Sequence, residues 1–131
     1  MADAPLPRPK AYGYALLTLL APGLGHWSLG RRGRAGAFFA IVGATFAAGL
    51  LFDGALFSPA SDNWLFRLGA VAQMGLGLPY ALGRLLGLGP LESARVTGVM
   101  FGYGNTFLVA AGLMNMLLAM DVYDIAVGRK P

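Results

Sequence analysis

Two stretches of the chain, residues 35–52 and 98–120, contain no charged side chain at all. Neither shows the polar face that a helix on the surface of a soluble domain needs. As helices they extend about 27 Å and about 35 Å against a hydrocarbon core of about 30 Å, so each is long enough to span a bilayer. Residues 65–86 predict a third helix, with Arg67 and Arg84 near its ends where long side chains snorkel to the headgroups. Pro79 predicts a kink in it. Residues 11–21 are apolar too, but eleven residues of helix reach only about 16 Å. This segment crosses if it continues through Pro22, Gly23 and Gly25 to Leu29; otherwise it is re-entrant or interfacial. Between the spans, residues 54–63 carry Ser58, Pro59, Ser61 and Asp62 and predict an exposed loop, with Trp64 at its edge as an interfacial aromatic.

The pattern predicts an all-α membrane protein, a bundle of three to four transmembrane helices of which the first is short or re-entrant. Residues 1–10, with their prolines, predict a flexible tail. Residues 11–127 form a single transmembrane domain with helices near 11–21, 34–52, 65–86 and 96–126, and 128–131 form a second tail.

Composition strengthens this reading: 56% of residues are hydrophobic and 12% charged, where a soluble domain carries about 25% charged residues. The absence of cysteine removes disulfides, thiolate metal sites and cysteine nucleophiles from consideration. The net charge of +4 does not point to nucleic acid, because the ten basic residues flank the apolar stretches instead of forming a stripe interleaved with aromatics. They act as a topology signal. The positive-inside rule places Arg31, Arg32 and Arg34 in the cytoplasm, together with the loop that carries Arg84 and Arg95. Asp53 and Asp62 then lie outside, and so does the C-terminus if the three later helices each cross once. The expected location is the cell membrane, as a multi-pass protein of the bacterial inner membrane, with the lipid bilayer as first partner.

Residues 22–36 read PGLGHWSLGRRGRAG and form the most distinctive stretch in the chain. Their Gly-rich turn with embedded His26 and Trp27, followed by Leu29, Gly30 and Arg31, resembles the two-helix transmembrane domain family and related bacterial membrane proteins of unknown function. Ser28 stands where that pattern has a second aromatic. The tail at 115–130, NMLLAMDVYDIAVGRK, is similar to the closing segment of the same relatives. The resemblance implies a membrane fold and brings no enzymatic activity or cofactor with it.

Several residues are candidates for chemistry or packing. His26 has the pKa range of a proton relay or pH sensor. No second His or any Cys completes a metal site, and the plainer role is to bond carbonyls freed around Pro22. Asn105, Thr106 and Asn115 in the last helix and Gln73 in the third lie deep in apolar sequence, so they bridge helices or line a polar path. Asp121 and Asp124 share a face near a helix C-terminus, where the macrodipole opposes them and a cation such as Arg129 or Lys130 must compensate. Gly36, Ala40, Ala44 and Ala48 form a ladder of small residues, and Gly98 with Gly102 a Gly-x-x-x-Gly pair; both predict close helix packing. Three arginines at 31–34 fall short of the four to eight basic residues of an anionic-lipid cluster.

These features favour a structural or accessory subunit that packs against itself or a larger membrane complex. No catalytic constellation, metal cage or cofactor motif speaks for an enzyme. A small transporter or oligomeric pore near Asn105 and Asn115 is the alternative.

Overall fold

The computed structural model describes residues 4–90 and 97–130, and among these it is all-helical, without a strand. The helices are α1 (Arg8–Leu20), α2 (Leu24–Ser28), α3 (Arg32–Leu51), α4 (Trp64–Met74), α5 (Leu78–Leu85) and α6 (Phe101–Ala126). Two of them, α3 and α6, are long and apolar enough to cross a membrane. α6 is the axis of the molecule, packing against α1, α3 and α4.

The other four helices make two half-length hairpins that approach from opposite ends. α1 starts beside the end of α6, where Leu6 N–H donates to Ala126 O (2.8 Å) and the Tyr12 and Tyr123 rings meet at 5.0 Å. It reaches the middle of α6 at Thr18, and the chain reverses through Gly23, whose φ of +81° suits a residue without Cβ. α2 then returns along α1, with Gly25 seated against Tyr14, Thr18 and Val122. α4 descends from the other end, its Ala72 and Gln73 touching Gly112 of α6. The chain reverses again at 75–77, and α5 climbs back until Gly83 meets Leu56. The tips of the two hairpins touch where Gly77 lies against the carbonyls of Leu19 and Leu20.

This arrangement corrects several expectations. Residues 65–86 are not one helix kinked at Pro79: the break lies at 75–77, and Pro79 sits in the first turn of α5, where its missing N–H costs nothing. Residues 54–57 are not exposed but irregular and buried, inserted between α4, α5 and α6. The N-terminal tail is docked from Leu6, and α1 begins at Arg8. Of the ladder of Gly36, Ala40, Ala44 and Ala48, the first three face outward and Ala48 is half-buried, while α3 packs inward through Ala35, Val42 and Gly49. Gly98 lies in a turn before α6 and Gly102 is exposed in its first turn, so the two do not form a packed helix face. The predicted start of the last helix at 96, and Glu92 and Arg95, lie outside the described residues.

Because α4 and α5 double back, Arg84 joins Asp53, Asp62 and Arg67 at one end of the bundle, and the C-terminal residues join the arginine turn at the other. One end therefore carries two basic and two acidic described side chains. The opposite end gathers Arg8 and Lys10 of α1, the three arginines at 31–34, and Arg129 and Lys130, against Asp121 and Asp124.

Val42, Leu56, Leu76, Tyr80, Leu108 and Ala111 form the core, drawn from α3, α5, α6 and the two irregular segments. The tip of the second hairpin tolerates no side chain. A Gly77→Ala substitution combines the cost of a left-handed φ of +74°, about 1–2 kcal/mol, with a clash against α1 carbonyls. It should lower the thermal unfolding midpoint in mild detergent by several degrees. Gly36→Ala, at a helical site where a new Cβ meets nothing, should leave the midpoint unchanged or raise it.

Candidate functional site

The polar residues of the apolar interior gather at three levels along α6. At the charge-balanced end, Asn105, Gln73, Tyr80 and Arg84 surround the irregular backbone of Ala55, Leu56 and Phe57. Asn105 Oδ1 accepts from Ala55 N–H (2.8 Å), and Gln73 Nε2 donates to Ala55 O (2.9 Å). Leu56 N–H donates to Gly89 O (2.9 Å), and Arg84 Nη1 donates to Leu56 O (3.1 Å). Phe57 N–H donates to Gln73 Oε1 (2.8 Å), and Tyr80 O–H donates to Phe57 O. All the backbone donors and acceptors of these three residues are thus paired, a necessity for irregular chain in an apolar interior. Thr106 points elsewhere and bonds back to Gly102 O (2.9 Å).

Midway, Asn115 is fully buried and its Nδ2 donates to Thr18 O (2.9 Å) and Gly75 O (2.6 Å). These carbonyls close the last turns of α1 and α4, where helical partners run out. One amide thereby fastens both hairpin tips to α6.

At the basic end, His26 is fully buried on α2, with its ring 4.8 Å from that of Phe38. Its Nε2 donates to Asp121 Oδ2 (2.9 Å), and Lys130 Nζ donates to Asp121 Oδ1 (2.8 Å). An ionised carboxylate only accepts, which places the proton on Nε2. Arg129 bonds Asp124 (3.3 Å) and lies over the Tyr123 ring at 5.8 Å. His26 therefore does not cap the carbonyls around Pro22: Thr18 O, freed by the proline, is taken by Asn115 Nδ2, and Leu24 N–H donates to Ala21 O (3.2 Å). Arg31 occupies the N-cap position of α3 without a side-chain capping bond, and Arg32 stacks over Trp27 at 5.3 Å. The Asp121 hydrogen bond raises the Lys130 pKa above the ordinary lysine value. A raised pKa makes this link fully present at neutral pH; it is lost as strong alkali removes the lysine proton, or as acid protonates the Asp121 carboxylate.

The structure thus brings His26 together with Asp121, and sets Asp124 beside Arg129. Asn105 and Asn115 stand well apart, each tied to backbone. Tyr80 is a buried polar group that sequence reasoning passes over, and Arg84, read from the sequence as a snorkelling side chain, instead bonds the Leu56 carbonyl; their spacing of four on one short helix is the available signal. Among the described residues no group of three or more His, Cys, Asp or Glu side chains is placed to hold a metal ion.

Two measurements probe this network. Gln73→Leu strands Ala55 O and Phe57 N–H, at about 1–3 kcal/mol for each unpaired buried group, and should destabilise the fold strongly in detergent melts. His26→Ala removes a charge-assisted bond worth about 1.5–3 kcal/mol and should expose the α1–α2 hairpin to limited proteolysis. Lys130→Ala, at an exposed position, should leave the cleavage pattern as in the parent.

No curated protein and no solved structure matches the chain. Residues 13–131 match a family of unknown function, DUF6677. The match begins within α1 and covers the rest of the chain, with both long helices, the second hairpin and all three polar levels, including His26, Asn115 and Asp121. The resemblance of the turn to the two-helix transmembrane family stays an expectation beside it. On a match of this extent, the chain belongs to the DUF6677 family of unknown function.

Proposed function

We propose that this chain is a multi-pass integral membrane protein of the bacterial inner membrane, non-enzymatic, acting as a structural or accessory subunit. In this reading α3 and α6 span the bilayer, and the two hairpins re-enter it from opposite faces. The basic end lies in the cytoplasm, by the positive-inside rule. The observation that carries the proposal is the outward face of α3. Gly36, Ala40 and Ala44 are exposed there, and a Cβ at Gly33, Gly36 or Gly43 would meet no neighbouring atom. In lipid such a face admits the close approach of another helix, from a second copy or from a larger complex.

The interior supports the same assignment. Asn105 Oδ1, both ends of the Gln73 amide and Asn115 Nδ2, among the groups from which a polar path would be built, are spent on backbone partners within the chain, and the remaining Asn115 Oδ1 is buried. That weighs against a transporter or pore near Asn105 and Asn115.

The test is a triple substitution, Gly36→Leu, Ala40→Leu and Ala44→Leu, in a tagged copy purified from native membranes in mild detergent. These positions are open, so the unfolding midpoint should stay near that of the parent. The parent should elute with a stoichiometric partner or as a homo-oligomer, and the variant as a monomer. A parent that is monomeric, or a variant that keeps its partner, overturns the reading.

A further inference from the structure

The two hairpins do not cover α6 equally. α4 ends at Met74, halfway along α6, so the stretch of α6 below it is shielded by α1 on one side only. The result is a notch of about 670 Å³ between α1, α4 and α6. Met74 and Gly75 roof it, Leu19 and Met116 form its deep walls, and Tyr12 and Tyr123 stand at its mouth. From Met116 to Tyr123 is about 10 Å of helix, comparable with the half-thickness of a hydrocarbon core, about 15 Å. The notch therefore matches one leaflet, and its lining is almost wholly apolar below the tyrosines.

Its mouth opens at the basic end. Arg129 lies over Tyr123, and Arg8 stands one turn before Tyr12 on α1. Asp124 engages Arg129 through one nitrogen and leaves the remaining donors of that guanidinium open to a second acceptor. Asp121, the other carboxylate at this end, is held by His26 and Lys130. Seven basic side chains against two aspartates make this end a cluster of the size that recognises anionic lipid, although the arginine turn alone does not reach it. Only the fold brings the α1 and C-terminal cations beside that turn.

We infer that the notch between α1, α4 and α6 is a binding site for an anionic phospholipid of the cytoplasmic leaflet, an acyl chain lying under Met74 and the phosphate meeting Arg8 and Arg129. The inference rests on the bilayer placement proposed above. Tyr12 and Tyr123 sit at the level where aromatic side chains meet headgroups, between the apolar chain and the phosphate.

The experiment reconstitutes the protein with equal amounts of phosphatidylglycerol and phosphatidylcholine, and counts retained lipids by native mass spectrometry. The parent should retain phosphatidylglycerol in preference by roughly fivefold or more, the effect of about one surface cation. The double variant Arg8→Gln, Arg129→Gln should lose that preference, whereas Arg67→Gln at the opposite end should keep it. Ala15→Phe, which fills the notch from α1, should lower retention of both lipids. Equal retention of the two lipids by the parent, a preference that survives the double variant, or an equal loss in Arg67→Gln overturns the inference. Release of the protein from native membranes by alkaline carbonate overturns instead the bilayer placement on which the inference stands.

Discussion

Irregular backbone inside an apolar bundle keeps its N–H and C=O groups only if other parts of the chain pair with them, and this fold meets that demand twice. Ala55, Leu56 and Phe57 are held by four side chains and one backbone carbonyl; the ends of α1 and α4 are held by Asn115. Each unpaired group would cost several kcal/mol in hydrocarbon. The half-length hairpins depend on these pairings, because a helix that stops midway exposes carbonyls that a spanning helix exposes only at its ends. Gln73, Asn105 and Asn115 therefore belong to the folding problem before they belong to any functional one.

The same reversals set the charge distribution. A helix that crosses moves the next loop to the opposite face; a hairpin that turns back keeps it on the same face. The second hairpin thus separates Arg84 from the arginine turn, and the C-terminus, reached by α6 alone, returns to that turn. The outcome is a bundle with its positive charge at one end, a sharper asymmetry than single crossings of every segment would give.

The sequence makes the two long helices legible, because eighteen or more uncharged residues admit few other structures in a chain this apolar. It leaves the hairpins ambiguous for a definite reason. Gly75, Gly77 and Pro79 permit a kink and a reversal equally, and the choice is made by contacts such as Gly77 against Leu19, far away in sequence. The ladder in α3 misleads similarly: small residues recur along two faces of that helix, and only Leu108 and Gly104 of α6 select the one containing Gly49. The macrodipole argument correctly asks for a cation near Asp121, and Lys130 lies within reach in sequence. It does not find His26, which lies ninety-five residues away, because that pairing exists only once α2 folds back beside the last turns of α6.

How the polar groups are spent bears on where this protein can recognise anything. The amides deepest in the bundle have backbone partners and the His26 Nε2 is committed to Asp121; among the described residues the buried side-chain atoms left without a partner are Asn115 Oδ1 and His26 Nδ1, both shut away from the surface. What stays open lies at the periphery: an outward face of α3 whose glycines meet nothing, and a notch on α6 that the hairpins leave half covered. Both openings follow from the same geometry. Half-length helices fill a bundle with fewer residues than full spans require, but they cover their neighbours incompletely, and in the membrane placement proposed above the uncovered surface of α3 and α6 is completed by lipid or by another helix.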